Sequence, residues 1–247
     1  MPGLIKTSNP ALSAKSFAGR VAVDGEAMTL QGTVNKTGIL LFCVFATAVW
    51  TWQQANTHPE QVSRWLWIGV LGGLGFAMAT IFKKEWAPVT APLYAACEGL
   101  ALGGLSAVMQ QAYPGIAVQA LEGTLGVTLV MLFLYSSRVL RATPKFTLGV
   151  MAATGGIFFI YMLDMVLGFF GLHLPLLNSD SPLGIAISVG IIIVAALNLI
   201  LDFAFVESGV QAQAAKYMEW YGAFGILVTL VWMYIEILRL LAKLSRR

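Results

Sequence analysis

Long apolar stretches occupy most of this 247-residue chain. A helix needs about 20 mostly apolar residues to cross a bilayer, and each stretch is close to that length. The seven stretches lie at residues 37–54, 65–82, 88–112, 116–137, 146–171, 183–206 and 221–242. None of them alternates with the period of two that a strand of a membrane barrel has. They therefore predict an all-α, polytopic membrane protein built as a seven-helix bundle.

The composition excludes the main soluble classes of protein. Apolar residues make up 58% of the chain, charged residues 11%, and the mean hydropathy is +0.78, whereas a soluble domain is about a quarter charged. So few charged side chains could not cover a water-exposed surface. The net charge of +3 is too small to attract polyanions strongly. We therefore expect the lipid bilayer as a partner and no nucleic acid.

Small residues at a spacing of four recur in two of the stretches. Gly69 precedes Gly73 in the second, and Gly99 precedes Gly103 in the third. Such pairs let helix backbones approach closely in lipid, where packing drives association. They predict ordinary close packing of helices in the bundle.

The charge distribution predicts the domain organisation and the orientation. Residues 1–36 are polar and are predicted to form a cytoplasmic N-terminal tail before a transmembrane domain at 37–247. Lys and Arg favour the cytoplasmic side, and a cytoplasmic N-terminus places ten of them inside and only Arg64 in the outer connectors. The cations at the chain's end oppose an odd number of spans: Arg239, Lys243, Arg246 and Arg247. The side of the C-terminus stays open.

Acidic side chains inside the apolar stretches are the first candidates for function, because burying them in a bilayer is expensive. Five acids occur there: Glu98, Glu122, Asp164, Asp202 and Glu236. Asn198 lies one helical turn before Asp202, on the same face, so the pair indicates either a wetted stripe or a polar contact between helices. Glu98 lies about ten residues into its helix. Glu236 precedes Arg239 by three residues, so a local ion pair is its alternative explanation.

Patterns typical of enzymes and cofactor sites are weak. Ser106, in the sequence Gly104-Leu105-Ser106-Ala107, resembles the G-x-S-x element of intramembrane serine proteases, but that chemistry needs a base beside the serine. The histidines, His58 and His173, lie in or beside connectors. No cluster has the spacing of a transition-metal site, and no glycine-rich loop precedes a lysine. We expect no enzymatic activity and no resident cofactor.

Segments of the C-terminal third carry a family resemblance. They are NLILDF at 198–203, KYMEWYGAFG at 216–225 and LVWMYIEILRLL at 230–241. These segments resemble the bacterial branch of the Bax inhibitor/YccA-like (transmembrane Bax-inhibitor motif) family, and PLYAACEGL at 92–100 is similar to that branch's third helix. The resemblance extends over about residues 36–244.

The resemblance implies a fold in which six helices surround a central C-terminal helix. It also implies a pH-sensitive calcium leak, gated by two aspartates that face each other from the sixth and seventh helices. Asp202 matches the first aspartate. The second falls at Glu236 if acid is matched to acid, or at Thr229 if Ile237-Leu238-Arg239 is matched to the family's tail. Helical rise puts Asp202 about 6 Å, Thr229 about 12 Å and Glu236 about 22 Å into their helices, which favours Thr229.

Two functions follow as expectations. The first is a calcium or cation leak channel of a bacterial inner membrane, with Asp202 as its gate and as a weak, transient calcium site. Asn198, Thr229, Glu98 and Glu236 are the other candidates for the ion pathway or gate. The alternative is a regulatory protein that modulates a membrane-anchored protease, for which the tail at 1–36 would serve as the docking segment.

Overall fold

The computed structural model describes residues 27–172 and 179–246. The helices are α1 (Leu30–Thr57), α2 (Val62–Phe82), α3 (Ala87–Ala112), α4 (Ile116–Ser136), α5 (Pro144–Gly168), α6 (Pro182–Gln211) and α7 (Met218–Ser245). All seven are long and apolar enough to cross a membrane, and the described ranges contain no β-strand. The predicted all-α, polytopic seven-helix fold is confirmed.

Local sequence explains where several of these helices begin. Thr29, Thr143 and Ser181 precede α1, α5 and α6, and each side chain accepts a hydrogen bond from a backbone N–H of the first turn. Such caps satisfy amide groups that have no partner within the helix. Pro144 and Pro182 then occupy the first helical position, where a missing N–H costs nothing.

The predicted and observed helix boundaries differ most at two places, the start of α1 and the connector between α6 and α7. α1 begins at Leu30, seven residues before the predicted start at 37, so the last part of the predicted tail is helical. The rest of that tail, residues 1–26, lies outside the described residues. α6 continues to Gln211 and α7 begins at Met218, which makes the connector predicted at 207–220 much shorter. Hydropathy missed both extensions because these helical turns contain polar residues.

α7 is the helix with the largest buried share, and it packs against α1, α3, α4 and α6. It also reaches α5 through a hydrogen bond between Tyr161 and Glu236. α2 packs chiefly on α3. These contacts place α7 well inside the bundle, while its enclosure by all six other helices stays a prediction.

The glycine pairs lie where helix backbones meet. A Cβ atom on Gly103 would lie 2.4 Å from the carbonyl oxygen of Ala48 in α1, and one on Gly69 would lie 2.6 Å from that of Cys97 in α3. Only glycine allows helices to approach this closely. The prediction that these residues serve packing is confirmed.

The bundle has two ends, which we name from α7. The N-terminal end holds the starts of α1 and α7 and the connectors α2–α3, α4–α5 and α6–α7; the C-terminal end holds the end of α7 and the remaining connectors. Described cations at the N-terminal end are Lys36, Lys83, Lys84, Arg138, Arg141, Lys145 and Lys216. Those nearer the C-terminal end are Arg64, Arg239, Lys243 and Arg246.

Candidate functional site

Asp202 of α6 and Thr229 of α7 form a polar contact between two apolar helices. The Thr229 hydroxyl donates a hydrogen bond to Asp202 Oδ2 at 2.5 Å. Asp202 is 0% exposed and Thr229 is 4% exposed. Of the two residues considered for the position opposite Asp202, Thr229 rather than Glu236 is therefore the one in contact with it.

The contact lies deeper in the bundle than helical rise from the predicted ends suggested. Asp202 precedes the end of α6, Gln211, by nine residues, which is about 14 Å rather than about 6 Å. Thr229 follows the start of α7, Met218, by eleven residues, or about 16 Å. The earlier estimates were too shallow because both helices extend beyond their apolar cores. The two side chains meet more than two helical turns inside the nearer ends of their helices.

Asn198, one turn before Asp202, connects α6 to α5. Its side-chain amide donates to Thr154 Oγ1 at 2.8 Å and to the carbonyl oxygen of Val194 at 2.9 Å. Asn198 is 3% exposed. Polar side chains of α5, α6 and α7 therefore lie beside one another in the interior of the bundle at this depth.

Glu236 belongs to a second polar cluster further along α7. The Tyr161 hydroxyl donates to Glu236 Oε1 at 2.7 Å, and Arg239 Nη1 lies 3.3 Å from the same oxygen. Arg239 also donates to the Tyr161 hydroxyl at 2.9 Å. The ion pair between Glu236 and Arg239, which the sequence offered as the alternative to a role in the ion pathway, is thus present. Glu236 follows Thr229 by seven residues, about 10 Å along the helix.

Glu98 lies where α3 packs on α2. Its carboxyl group lies near the Tyr94 hydroxyl, one turn earlier on α3. A Cβ atom on Gly73 of α2 would lie 3.0 Å from Glu98 Oε1. The Tyr94 ring contacts Phe224 of α7 edge-on, with centroids 4.9 Å apart. Glu98 is therefore connected to α7 through an aromatic contact.

A buried acid that the sequence did not indicate as a site is Glu219, in the first turn of α7. It is 0% exposed. Its Oε1 accepts from the Thr29 amide at 2.9 Å and from the Thr29 hydroxyl at 2.8 Å, and Lys36 Nζ lies 2.5 Å from Oε2. Lys216 Nζ is 3.4 Å from Oε1. An anion is favoured at a helix start, but two of the partners of Glu219, Thr29 and Lys36, are distant from it in sequence.

The oxygen ligands available at Asp202 suit a cation that binds transiently rather than one that is bound permanently. Calcium takes six to eight oxygen ligands, and one carboxylate with one hydroxyl offers only a few. Among the residues that the structure describes, no three His, Cys, Asp or Glu side chains are grouped to hold a metal ion. A weak, transient site at Asp202 is compatible with this donor set, whereas a resident ion is not supported.

Ser106, the residue resembling a protease nucleophile, has a different partner. Its hydroxyl is 2.6 Å from the Tyr234 hydroxyl, and a tyrosine hydroxyl is a poor base at neutral pH. His58 is exposed beside Glu60 in the α1–α2 connector, and His173 lies outside the described residues. This geometry gives no support to a serine nucleophile.

Comparisons with known proteins give the chain a family. The model of the Bax inhibitor 1 like family matches residues 9–246. No curated protein and no solved structure matches the chain. Because the family match covers nearly the whole chain, including all seven helices, this protein belongs to the Bax inhibitor 1 like family.

Proposed function

We propose that the protein is a pH-sensitive cation leak channel, with calcium among its ions and Asp202 as its gate, and that it is not an enzyme. One observation carries the proposal. A fully buried carboxyl group of α6, more than two turns from the end of that helix, accepts a hydrogen bond from Thr229 on α7. Ionisable side chains at such depth are costly and typically serve transport.

The chemistry of the pair explains how the leak would respond to pH. An ionised Asp202 attracts a cation and draws in water, whereas a protonated Asp202 does neither. The hydrogen bond from Thr229 links α6 to α7, and its rupture would release the Asp202 carboxylate from α7. Asn198 and Thr154 provide further oxygens at this depth. Flux should therefore rise with pH as Asp202 ionises.

Asp202→Asn is expected to lower cation flux by at least about tenfold at the upper end of the pH range and to flatten the pH profile. A carboxylate and a monovalent cation about 4 Å apart attract each other by about 4 kcal/mol at an effective dielectric constant of about 20, and a third of that energy corresponds to about tenfold. The measurement is calcium and potassium flux through purified protein in liposomes, across pH. An unchanged rate and profile would make Asp202 structural.

Two further variants sharpen this test. Glu236→Gln is the matched control, because Glu236 is also buried on the bundle interior but is paired with Arg239 and Tyr161; flux per molecule should hardly change. Thr229→Asp places two carboxyl groups in contact. Interacting carboxyl groups titrate in two steps, so the pH profile should broaden or split. A change in flux for Glu236→Gln as large as that for Asp202→Asn would extend the path to Glu236, and Glu98 would then be examined in the same way.

We also propose that the protein lies in a bacterial inner membrane with a cytoplasmic N-terminus. Seven described cations lie at the N-terminal end of the bundle, as the positive-inside rule requires. The opposing cations are partly neutralised by local contacts. Arg239 pairs with Glu236, and Arg246 lies 3.7 Å from Asp180. The rule counts Lys and Arg rather than net charge, so the excess of seven described cations over four is what supports this orientation.

The regulatory alternative depends on the N-terminal tail. The Met28 amide donates to the Ala214 carbonyl oxygen at 2.7 Å, and Thr29 is bound to Glu219. These contacts fix the point from which residues 1–26 extend, at the N-terminal end of the bundle. A tail anchored there could dock on a membrane-anchored protease.

Deletion of residues 1–26 separates the two functions. If the protein is a leak channel, flux and its pH profile should stay within about twofold of the full chain. If the tail serves a protease partner, co-purification of that protease should be lost instead. Deletion to residue 36 is unsuitable, because it also removes Thr29 and Lys36 from Glu219. A leak abolished by the shorter deletion would contradict the proposed pathway through the helices alone.

A further inference from the structure

A cavity of about 300 Å³ opens between α3 and α7 near the C-terminal end of the bundle. Its apolar wall is formed by Leu105 and Met109 of α3 and by Ile235 and Leu238 of α7. Three cationic side chains of α7 complete the lining: Arg239, Lys243 and Arg246. We call this space the C-terminal cavity. It combines a hydrocarbon-like surface with a concentration of positive charge.

Lys243 is the unusual member of this lining. It is 4% exposed, and its ammonium group donates to Ser188 Oγ at 2.8 Å and to the Gly184 carbonyl oxygen at 3.2 Å. Both acceptors are neutral. Within residues 27–172 and 179–246, no carboxylate lies within ion-pair distance of Lys243. A buried charge that no carboxylate contacts directly is expensive, so this site favours an anion.

The other two cations have acidic neighbours. Arg239 Nη1 is 3.3 Å from Glu236, and Arg246 Nη1 is 3.7 Å from Asp180. Arg246 also donates through Nε to the Tyr113 hydroxyl at 2.9 Å. Two carboxylates thus face three cations, and the cavity keeps an excess positive charge. The arginine side chains are 38% and 47% exposed, so part of each guanidinium group is open to a ligand.

We propose that the C-terminal cavity binds an anionic phospholipid. Its phosphate would lie among Lys243, Arg246 and Arg239, and an acyl chain would lie along Leu105, Met109 and Ile235. Basic pockets between membrane helices bind acidic headgroups in this manner. A free phosphate shares the headgroup chemistry but cannot use the apolar wall. The cavity is about 300 Å³, which is at the lower end of the range of small-ligand sites. The site is separate from Asp202 and does not depend on the leak.

The test uses full-length protein in a neutral detergent, with thermal unfolding as the measurement. Phosphatidylglycerol should raise the Tm by several degrees, because a ligand that binds only the folded state stabilises it. Phosphatidylcholine with the same acyl chains should give a shift less than half as large, and millimolar inorganic phosphate should give almost none. Native mass spectrometry should find phosphatidylglycerol retained on the protein. Equal shifts for the two lipids would overturn the proposal, and a full shift with inorganic phosphate would overturn its assignment to a lipid.

Lys243→Met gives the sharpest result. Removing a buried charge that has no ion-pair partner also removes its desolvation cost, so the variant should have an equal or higher Tm in lipid-free detergent. It should also lose most of the response to phosphatidylglycerol. Arg64→Gln removes a charge at the same end of the bundle but outside the cavity, and it should keep the full response. Arg246→Gln, which is half-exposed, provides a second variant that should fold and respond weakly. A full response by Lys243→Met or Arg246→Gln would overturn the site.

Discussion

Lys36→Met is expected to lower the free energy of unfolding by about 3 kcal/mol or more. Lys36 Nζ lies 2.5 Å from the Glu219 carboxylate, which is 0% exposed. Breaking a buried ion pair by removing one partner costs about 3–5 kcal/mol, because it leaves a charge without compensation. Lys216 and Thr29 still contact Glu219, so we expect the lower part of that range. The measurement is thermal and denaturant unfolding of the purified protein in detergent.

Two controls separate this effect from a general loss of charge. Lys145→Met removes an exposed lysine from the same end of the bundle and should change stability by less than about 0.5 kcal/mol. In the double variant of Lys36→Met with Glu219→Gln, neither charge is left uncompensated, so it should be more stable than Lys36→Met alone. If Lys36→Met were no less stable than Lys145→Met, the pair could not be what holds the start of α1 against α7.

The Glu219 contacts also show which part of the fold hydropathy could not predict. The seven apolar stretches predicted the number and order of the helices. Inside a bilayer, the backbone N–H and C=O groups of an apolar run of that length find partners only if the run forms a spanning helix. The first turns of α1 read LQGTVNK, at residues 30–36, and are too polar to be part of such a run. They are helical because Thr29 caps them and Glu219 binds both ends of the segment. A contact across 190 positions leaves no local periodicity in the sequence.

The central pair was accessible from the sequence in part. The family resemblance identified Asp202 as a candidate gate residue, and the comparison of depths favoured Thr229 over Glu236 as its neighbour. The two are hydrogen-bonded, although both absolute depths were too small. The comparison of depths identified the right neighbour because both helices extend beyond their apolar stretches at the same end of the bundle. The errors in the two depths therefore have the same sign and largely cancel. The partner of Asn198, Thr154 on α5, could not be read from spacing, because the rotation of α5 about its axis is set by packing.

Gly103→Ala is expected to destabilise the protein by about 1–2 kcal/mol. The added Cβ would lie 2.4 Å from the carbonyl oxygen and 2.8 Å from the Cα of Ala48. Both atoms belong to the α1 backbone, which cannot rotate away as a side chain would, so α1 has to move from α3. Overpacking costs about 1–3 kcal/mol. The helix preference of alanine over glycine, about 1 kcal/mol, offsets only part of it. Unfolding in detergent provides the measurement.

Gly126→Ala is the matched control for that contact. Gly126 also lies within a helix, α4, but a Cβ atom there would meet nothing within 4 Å. The helix preference of alanine then acts alone, so the variant should be as stable as the native protein or more stable by up to about 1 kcal/mol. The same substitution is thus expected to have opposite signs at two glycines that hydropathy cannot distinguish. If both variants were stabilised, α1 and α3 would have to be further apart than the Gly103–Ala48 contact requires. If both were destabilised alike, the loss would come from alanine in these helices rather than from the contact.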